Sequence, residues 1–267
     1  MEFPVYIALG PWRIHPHVLF ESLSYFIGFR VYLWTRRPSE MTRLMSLLIL
    51  AGTILGAALG AKLLFWLEDP AVTWEQLRQL HFLWGGKTIV GGLLGGLIGV
   101  ELTKKWVGWT RSTGDDFAYP LILGLCIGRI GCFLTGLDDH TYGTPTTWFT
   151  GIDFGDGIRR HPTQLYEIAF LLALAVLLIP LYRRSREPAG TRPGSIYLSG
   201  RLFQWFMFGY LAFRFAVDFI KPTPHPYFGL NNIQLACLAG LAYYAWLLWC
   251  RGRVRRSAAA AEARSYK

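Results

Sequence analysis

Residues 128–143, GRIGCFLTGLDDHTYG, put an arginine, a cysteine, two aspartates and a histidine into one short stretch. Arg129 falls inside an apolar run, Tyr119 to Leu134. A guanidinium keeps its charge under all ordinary conditions. In hydrocarbon it needs partners or a task, unless its long stem lets the head reach the interface. Gly124, Gly128 and Gly131 let other backbones come close to the same run. The run then breaks into a polar loop holding Asp138, Asp139, His140 and Tyr142. A buried cation at the end of an apolar helix, opening into such a loop, suits a site that meets lipid headgroups.

Further charged residues fall at helical spacing in other apolar runs. Arg214 and Asp218 are four apart and can pair, with Tyr210 one turn earlier on the same face. In RRHPTQLYE, His161 precedes Pro162, which reads as a helix start. Gln164 and Glu167 then occupy the first turns. Lys62 lies late in the second run, Glu21 early in the first, and Lys87 just before the third.

The elements that must position these residues are membrane helices. The chain has 267 residues, 52% hydrophobic and 16% aromatic, with mean hydropathy +0.30. Seven apolar stretches approach or exceed the roughly 18–20 residues that cross a bilayer: 18–35, 44–67, 88–103, 117–135, 165–182, 202–220 and 232–250. The expected fold is therefore all-α, one polytopic bundle over residues 1–250 followed by a basic tail, 251–267. The first stretch lacks the basic start and short apolar core of a cleavable signal, so insertion is expected to use the first span. Seventeen lysines and arginines fall in segments 36–43, 104–116, 183–201 and 251–267, against six in the alternate segments. This bias predicts an N-terminus outside and a C-terminus in the cytoplasm.

The outer loops then carry His81, Asp138, Asp139, His140, Asp153, Asp156, His161 and His225. The intramembrane charges, Arg30 apart, fall in the outer half of the bundle. Charges that merely snorkel should appear at both faces, so a shared outward-facing polar cavity is expected. Arg129, Arg214 and Lys62 would make it cationic and suited to a phosphate headgroup. The net charge of +10 is spread over the loops on one side as topology and anionic-lipid contact require, and gives no reason to expect nucleic acid. Gly52, Gly56 and Gly60 line one face of the second span, and Gly91, Gly95 and Gly99 one face of the third, as close helix packing demands. The four cysteines, 126, 132, 237 and 250, sit in or at the ends of apolar runs. Their placement argues against a disulfide framework and against a zinc site, and no metal or cofactor is expected.

Four segments together resemble the bacterial prolipoprotein diacylglyceryl transferase family. GRIGCFLTGLDDHTYG resembles its glycine-arginine signature, and RHPTQLYE its Arg-His-Pro-Ser-Gln-Leu-Tyr-Glu segment. GYLAFRFAVDFIKP is similar to its Tyr-Gly-Ala-Phe-Arg segment, and GGLLGGLIGV to its glycine-rich third span. The resemblance implies transfer of a diacylglyceryl group from phosphatidylglycerol to the lipobox cysteine thiol of a prolipoprotein, with glycerol 1-phosphate leaving. It implies a multi-pass protein of the bacterial plasma membrane with its active site toward the outer leaflet, and phosphatidylglycerol, the lipobox segment and membrane lipids as partners. Arg129 matches the arginine expected to bind the headgroup, and Arg214 the one expected to help the phosphate leave. Tyr210 and Gly143 also match motif positions.

Three positions depart from the family pattern. Val90 stands where a histidine usually precedes the paired glycines of span three. Cys132 replaces the usual asparagine of the signature. The loop LDDHTYG is longer than the usual Glu-Leu-Trp-Gly. An acceptor thiol with a pKa of about 8.5 needs a base or a cationic field to become a nucleophile. His140 and His161 are the candidate replacements by loop position, and Lys87, Arg129 and Arg214 the candidate field. The expected catalytic set is Arg214, Tyr210, His140 and His161. The expected substrate-binding set is Arg129, Gly143, Lys87, Gln164 and Glu167, with Asp218 as the structural partner of Arg214. The alternatives are a lipid- or lipoprotein-binding homologue without turnover, and a transporter, which the lack of inverted halves disfavours.

Overall fold

The computed structural model describes residues 3–76, 79, 85–186 and 200–265. Of the expected outer-loop histidines, His81 lies outside the described residues, as do the basic residues Arg78 and Arg192. Helices occupy all seven stretches: α1 (Pro16–Thr35), α2 (Arg43–Trp66), α4 (Ile89–Trp106), α5 (Ala118–Thr135), α6 (Thr163–Ser185), α7 (Arg201–Val217) and α8 (Asn232–Ser265). A short helix, α3 (Pro70–Gln76), follows α2. Among the described residues, four helical segments are long and apolar enough to cross a membrane: Arg43–Trp66, Gly114–Asp139, Thr163–Ser185 and Asn232–Cys250. Helix α8 runs without a break into the stretch read as a tail.

The strands are two small antiparallel ribbons, β1 (Ile7–Leu9) with β2 (Trp12–Ile14) and β3 (Ile152–Asp153) with β4 (Arg159–Arg160). Each is too short to show as an alternating run in the sequence.

The helices fall into two compact units. In the unit formed by residues 38–111 and 223–246, α2 and α4 pack backbone to backbone through their glycine faces. A Cβ on Gly60 would overlap the Gly91 carbonyl oxygen and come within 2.7 Å of the Gly95 Cα. Gly52 with Gly99, and Gly56 with Gly95, repeat the fit one turn at a time. Thr42 and Thr88 cap the two helices by accepting from the N–H groups of Met45 and Gly91. At the start of α8, Asn231 and Gln234 satisfy each other's backbone N–H groups reciprocally, at 2.9 and 2.7 Å.

The second unit, residues 1–37, 112–222 and 247–267, contains α1, α5, α6 and α7. Helix α1 runs along α5, where Gly131 leaves room for Phe20. Helix α7 starts on a carboxylate. Asp115, in the turn Gly114–Phe117, accepts from the backbone N–H of Gly200 at 2.6 Å and of Phe203 at 3.1 Å. This satisfies donors that a helix N-terminus leaves open and places negative charge at the positive end of its dipole. Arg37 donates from Nε to Asp116 at 2.8 Å and from Nη1 to the Ser185 carbonyl at 3.1 Å. These contacts fix α5, α6 and α7 at one end. The charged cluster fixes them toward the other.

Candidate active site

Glu167 is the centre of that cluster. It stands on the second turn of α6, 2% exposed. Its Oε1 accepts from the Tyr210 hydroxyl at 2.7 Å, and its Oε2 from Arg214 Nη1 at 3.2 Å. Arg129 Nε forms an ion pair with the same Oε2 at 2.9 Å. Arg214 Nη2 donates to Asp218 Oδ1 at 2.9 Å, and Lys221 Nζ lies 3.8 Å from that oxygen. Arg129 is 5% exposed, Arg214 4%, and Tyr210 and Asp218 are fully enclosed. Three helices thus exchange charge in a low-dielectric interior, where each group is affordable only because its partners are in place.

The sequence produces this locally in simple steps. Tyr210, Arg214 and Asp218 recur every fourth residue, so one face of α7 and of its closing turn carries all three. Pro162 starts α6, which puts Gln164 and Glu167 on its first two turns. Arg129 comes from the opposite side, on α5.

The loop after α5 is tied down to the start of α6. Thr141 Oγ1 donates to Asp139 Oδ2 at 2.5 Å and accepts from Gln164 Nε2 at 3.1 Å. The Thr163 hydroxyl donates to the Thr141 carbonyl. Gly143 donates its N–H to the His161 carbonyl at 2.8 Å, and Thr144 to the Ile220 carbonyl at 2.7 Å. A Cβ on Gly143 would lie 2.7 Å from the His161 Cβ and 2.8 Å from the Ile220 oxygen. The motif glycine is needed for this close crossing, and its geometry gives it a packing role.

The other expected residues separate. His161 shares a hydrogen bond with the Tyr166 hydroxyl through Nδ1 at 3.0 Å and packs edge-on against Trp148, which orders the approach to α6. His140 is exposed, in a left-handed backbone conformation at φ 53°. Its neighbour Asp139 does not serve it. Asp139 turns to His17, on the first turn of α1, and lies 2.7 Å from His17 Nδ1. His17 was missed by reading the chain as a string, because it is 122 positions from Asp139. The only local signal is the His-Pro-His start of the first span. Cys132 Sγ lies 3.7 Å from Arg129 Nη1 and so borders the charged cluster.

Lys87 and Val90 belong to the other unit, Lys87 exposed ahead of α4 and Val90 buried at 1%. Lys62 is also there, donating to the Gly85 carbonyl. The expectation of arginines lining an open cavity is therefore corrected. Arg129 and Arg214 are closed over by Glu167, because two desolvated guanidiniums bind the nearest carboxylate more strongly than they face empty space. Just outside the membrane-spanning stretch, Lys221 feels both effects. Burial, reinforced by Arg214 and Arg129, pushes its ammonium down to about 7.

A tyrosine and two arginines gathered on a buried glutamate, beside the glycine loop, match the motif order of one enzyme family. The family model for prolipoprotein diacylglyceryl transferase matches residues 4–250. The chain belongs to the prolipoprotein diacylglyceryl transferase family. It is 34% identical over 262 residues to the phosphatidylglycerol–prolipoprotein diacylglyceryl transferase of Bordetella parapertussis, covering 91% of this chain and 89% of that one. It is 30% identical over 281 residues to the protein of that name from Nitrosomonas europaea, covering 96% and 93%. The corresponding protein of Nitratidesulfovibrio vulgaris is 31% identical over 264 residues, covering 92% and 93%. Membership brings a membrane setting and a transferase chemistry to the chain.

Proposed function

We propose that this chain transfers a diacylglyceryl group from phosphatidylglycerol to the lipobox cysteine of a prolipoprotein, and that the Arg129–Glu167–Arg214 cluster receives the lipid phosphate. The observation that carries this is the pair of buried arginines on one carboxylate. Among the described residues, Arg129, Arg214 and Lys221 pair with the carboxylates of Glu167 and Asp218. With Lys221 protonated, the cluster holds one positive charge in excess, which one phosphodiester anion balances. Arg214 Nε has no hydrogen-bond partner among the described residues, so a donor is available without breaking an existing bond. Arg129 on α5 is the headgroup-binding arginine. Arg214, anchored by Asp218, stabilises charge as the phosphate departs. Tyr210 fixes the Glu167 carboxylate, and Gln164 holds the loop through Thr141.

The chemistry is alkylation of a thiol. The acceptor sulfur gives its proton to solvent and forms a bond to the phosphate-bearing carbon of the diacylglyceryl group. The bond from that carbon to the phosphate oxygen breaks, and glycerol 1-phosphate leaves with the electron pair. The proposed setting is the bacterial plasma membrane, crossed seven times, with the N-terminus outside, the C-terminus in the cytoplasm and the cluster toward the outer leaflet. Cysteines introduced at Ser39 and Thr146 should label from opposite sides, and labelling of both from outside would overturn that orientation. The reaction is tested directly by incubating purified protein with phosphatidylglycerol vesicles and a lipobox peptide. Thioether-linked diacylglycerol on the peptide is the expected product. Lipid binding without any transfer would instead make this member a lipid-binding homologue.

A further inference from the structure

His17, Cys132 and Asp139 form a second constellation beside the arginine cluster. One ring nitrogen, one sulfur and one carboxylate oxygen lie within 4.8 Å of one another. They come from three separate pieces of structure: the first turn of α1, the last turn of α5 and the turn Gly136–Asp139. The Asp139 side chain is 6% exposed, Cys132 is buried and His17 is partly open. An open surface depression of about 380 Å³, lined by His15, His17, Val18, Thr135, Asp138 and Asp139, reaches the histidine and the carboxylate from one side.

The arrangement is compact rather than linear. In a nucleophile–histidine–carboxylate relay, the thiol and the carboxylate bind opposite ring nitrogens, and the imidazole keeps them apart. Here sulfur and carboxylate are within 4.8 Å of each other. The ring's other nitrogen, Nε2, faces a different carboxylate, Glu21 Oε2, at 3.4 Å. A metal-binding histidine commonly has this outer partner, which holds its tautomer and its orientation.

We propose that His17 Nδ1, Cys132 Sγ and Asp139 Oδ1 form a three-ligand site for a divalent transition-metal cation of the zinc class, with its fourth position open to that depression. Mixed nitrogen, sulfur and oxygen donors suit zinc, and three protein ligands with one free position are the pattern of catalytic rather than structural zinc. Tetrahedral bonds of about 2.0–2.3 Å would need the 2.7 Å separation of His17 Nδ1 and Asp139 Oδ1 to open by roughly 0.7 Å. The charge also closes. A thiolate and a carboxylate neutralise a divalent cation, so Arg129, 3.7 Å from the sulfur, meets a neutral group and favours the thiolate. The cysteine spacing excludes a zinc motif within one segment. It does not exclude a mixed set that the fold assembles.

The role of the free position rests on the transferase reading. An acceptor thiol that coordinates there gives its proton to solvent and is held as thiolate. It would stand next to Arg129, the proposed phosphate ligand. That supplies the activation which Val90 cannot.

The test uses purified full-length protein in detergent, stripped with chelator and titrated with cobalt(II) alone. The expected result is one equivalent bound, with a thiolate-to-cobalt charge-transfer band that added zinc abolishes. Cys132→Ser should lose the band. His17→Gln and Asp139→Asn should weaken binding, and Glu21→Gln should do so by about tenfold or more. Thermal melts of each variant identify any that fail to fold, and the remaining ligand variants then decide the matter. A wild-type protein without the band, or a band that survives in Cys132→Ser, would overturn the site. Adding a lipobox-cysteine peptide to the cobalt form should strengthen the band. An unchanged band would remove the acceptor role while leaving the cation site in place. Absence of lipid transfer with the band present would count against the transferase reading alone.

Discussion

Helices α2 and α4 meet through bare backbone, whereas α5, α6 and α7 meet through two arginines, a tyrosine and a glutamate. Both contacts answer the same difficulty. Apolar side chains gain little by leaving lipid for one another, so helix association in a bilayer needs either very close packing or polar cross-links. The glycine faces take the first course. Gly56, Gly60, Gly91, Gly95 and Gly99 approach so closely that a Cβ on any of them would collide with a carbonyl of the facing helix. The cluster takes the second course, and only that course leaves groups able to bind an anion. Its weakness is dependence, since each charge is tolerable only while its partners remain.

The largest effect should come from removing the shared carboxylate. Glu167→Ala takes away the carboxylate of Arg129, leaves Arg214 with Asp218 alone, and should cost about 3–5 kcal/mol. It should also abolish transfer, and its melting in detergent and its lipidation rate check both. Asp218→Ala leaves Arg214 with Glu167, removes the carboxylate beside Lys221, and should destabilise less. Normal melting of Asp218→Ala would show that Arg214 does not depend on this pair.

Gly95→Leu attacks the other contact. Overpacking typically costs about 1–3 kcal/mol, and a leucine forced against the Gly56 carbonyl belongs at the upper end. A leucine variant that melts like wild type would show that the glycine fit is not what joins α2 and α4.

Arg214→Lys sharpens the comparison by separating charge from geometry. The ammonium can still reach a carboxylate, but it cannot serve Glu167 and Asp218 with a planar fork. Melting should fall by less than in Glu167→Ala, while transfer falls at least tenfold. Arg129→Gln should raise the phosphatidylglycerol concentration needed for half-maximal rate. If both variants bind and turn over lipid normally, the arginines serve only the fold.

The last effect is a slope in pH. Lys221 is held near 7 in the folded protein but returns to about 10.5 when unfolded. Between those values the unfolded chain binds the extra proton, so stability should rise as pH increases from about 7 toward 10. The cost of burying the ammonium is fully present below 7. Lys221→Met should flatten this part of the melting-temperature profile. An unchanged profile would assign the slope to another group.

The arginines, the proline start of α6 and the glycine faces were legible because each depends on spacing within one segment. Tyr210, Arg214 and Asp218 share a face by helical period alone. Gly52, Gly56 and Gly60 announce close packing without naming the partner helix. His140 shows the limit of such reasoning. Its position in the loop after Arg129 makes it a candidate base. The left-handed turn leaves it exposed, and Asp139 goes to His17.

By itself the sequence determined that this chain forms apolar helices, which of their faces are small or charged, and which family its motifs belong to. Those properties follow from composition and from periods of three to four residues. Only the tertiary structure decided that Glu167 closes over both arginines, that Cys132 borders Arg129, and that His17 meets Asp139. Each of these joins side chains from different helices, and a local pattern carries no information about which distant charge a buried group will find. Desolvation makes the choice: once a charge leaves water, the partner that the packing brings within reach sets its energy.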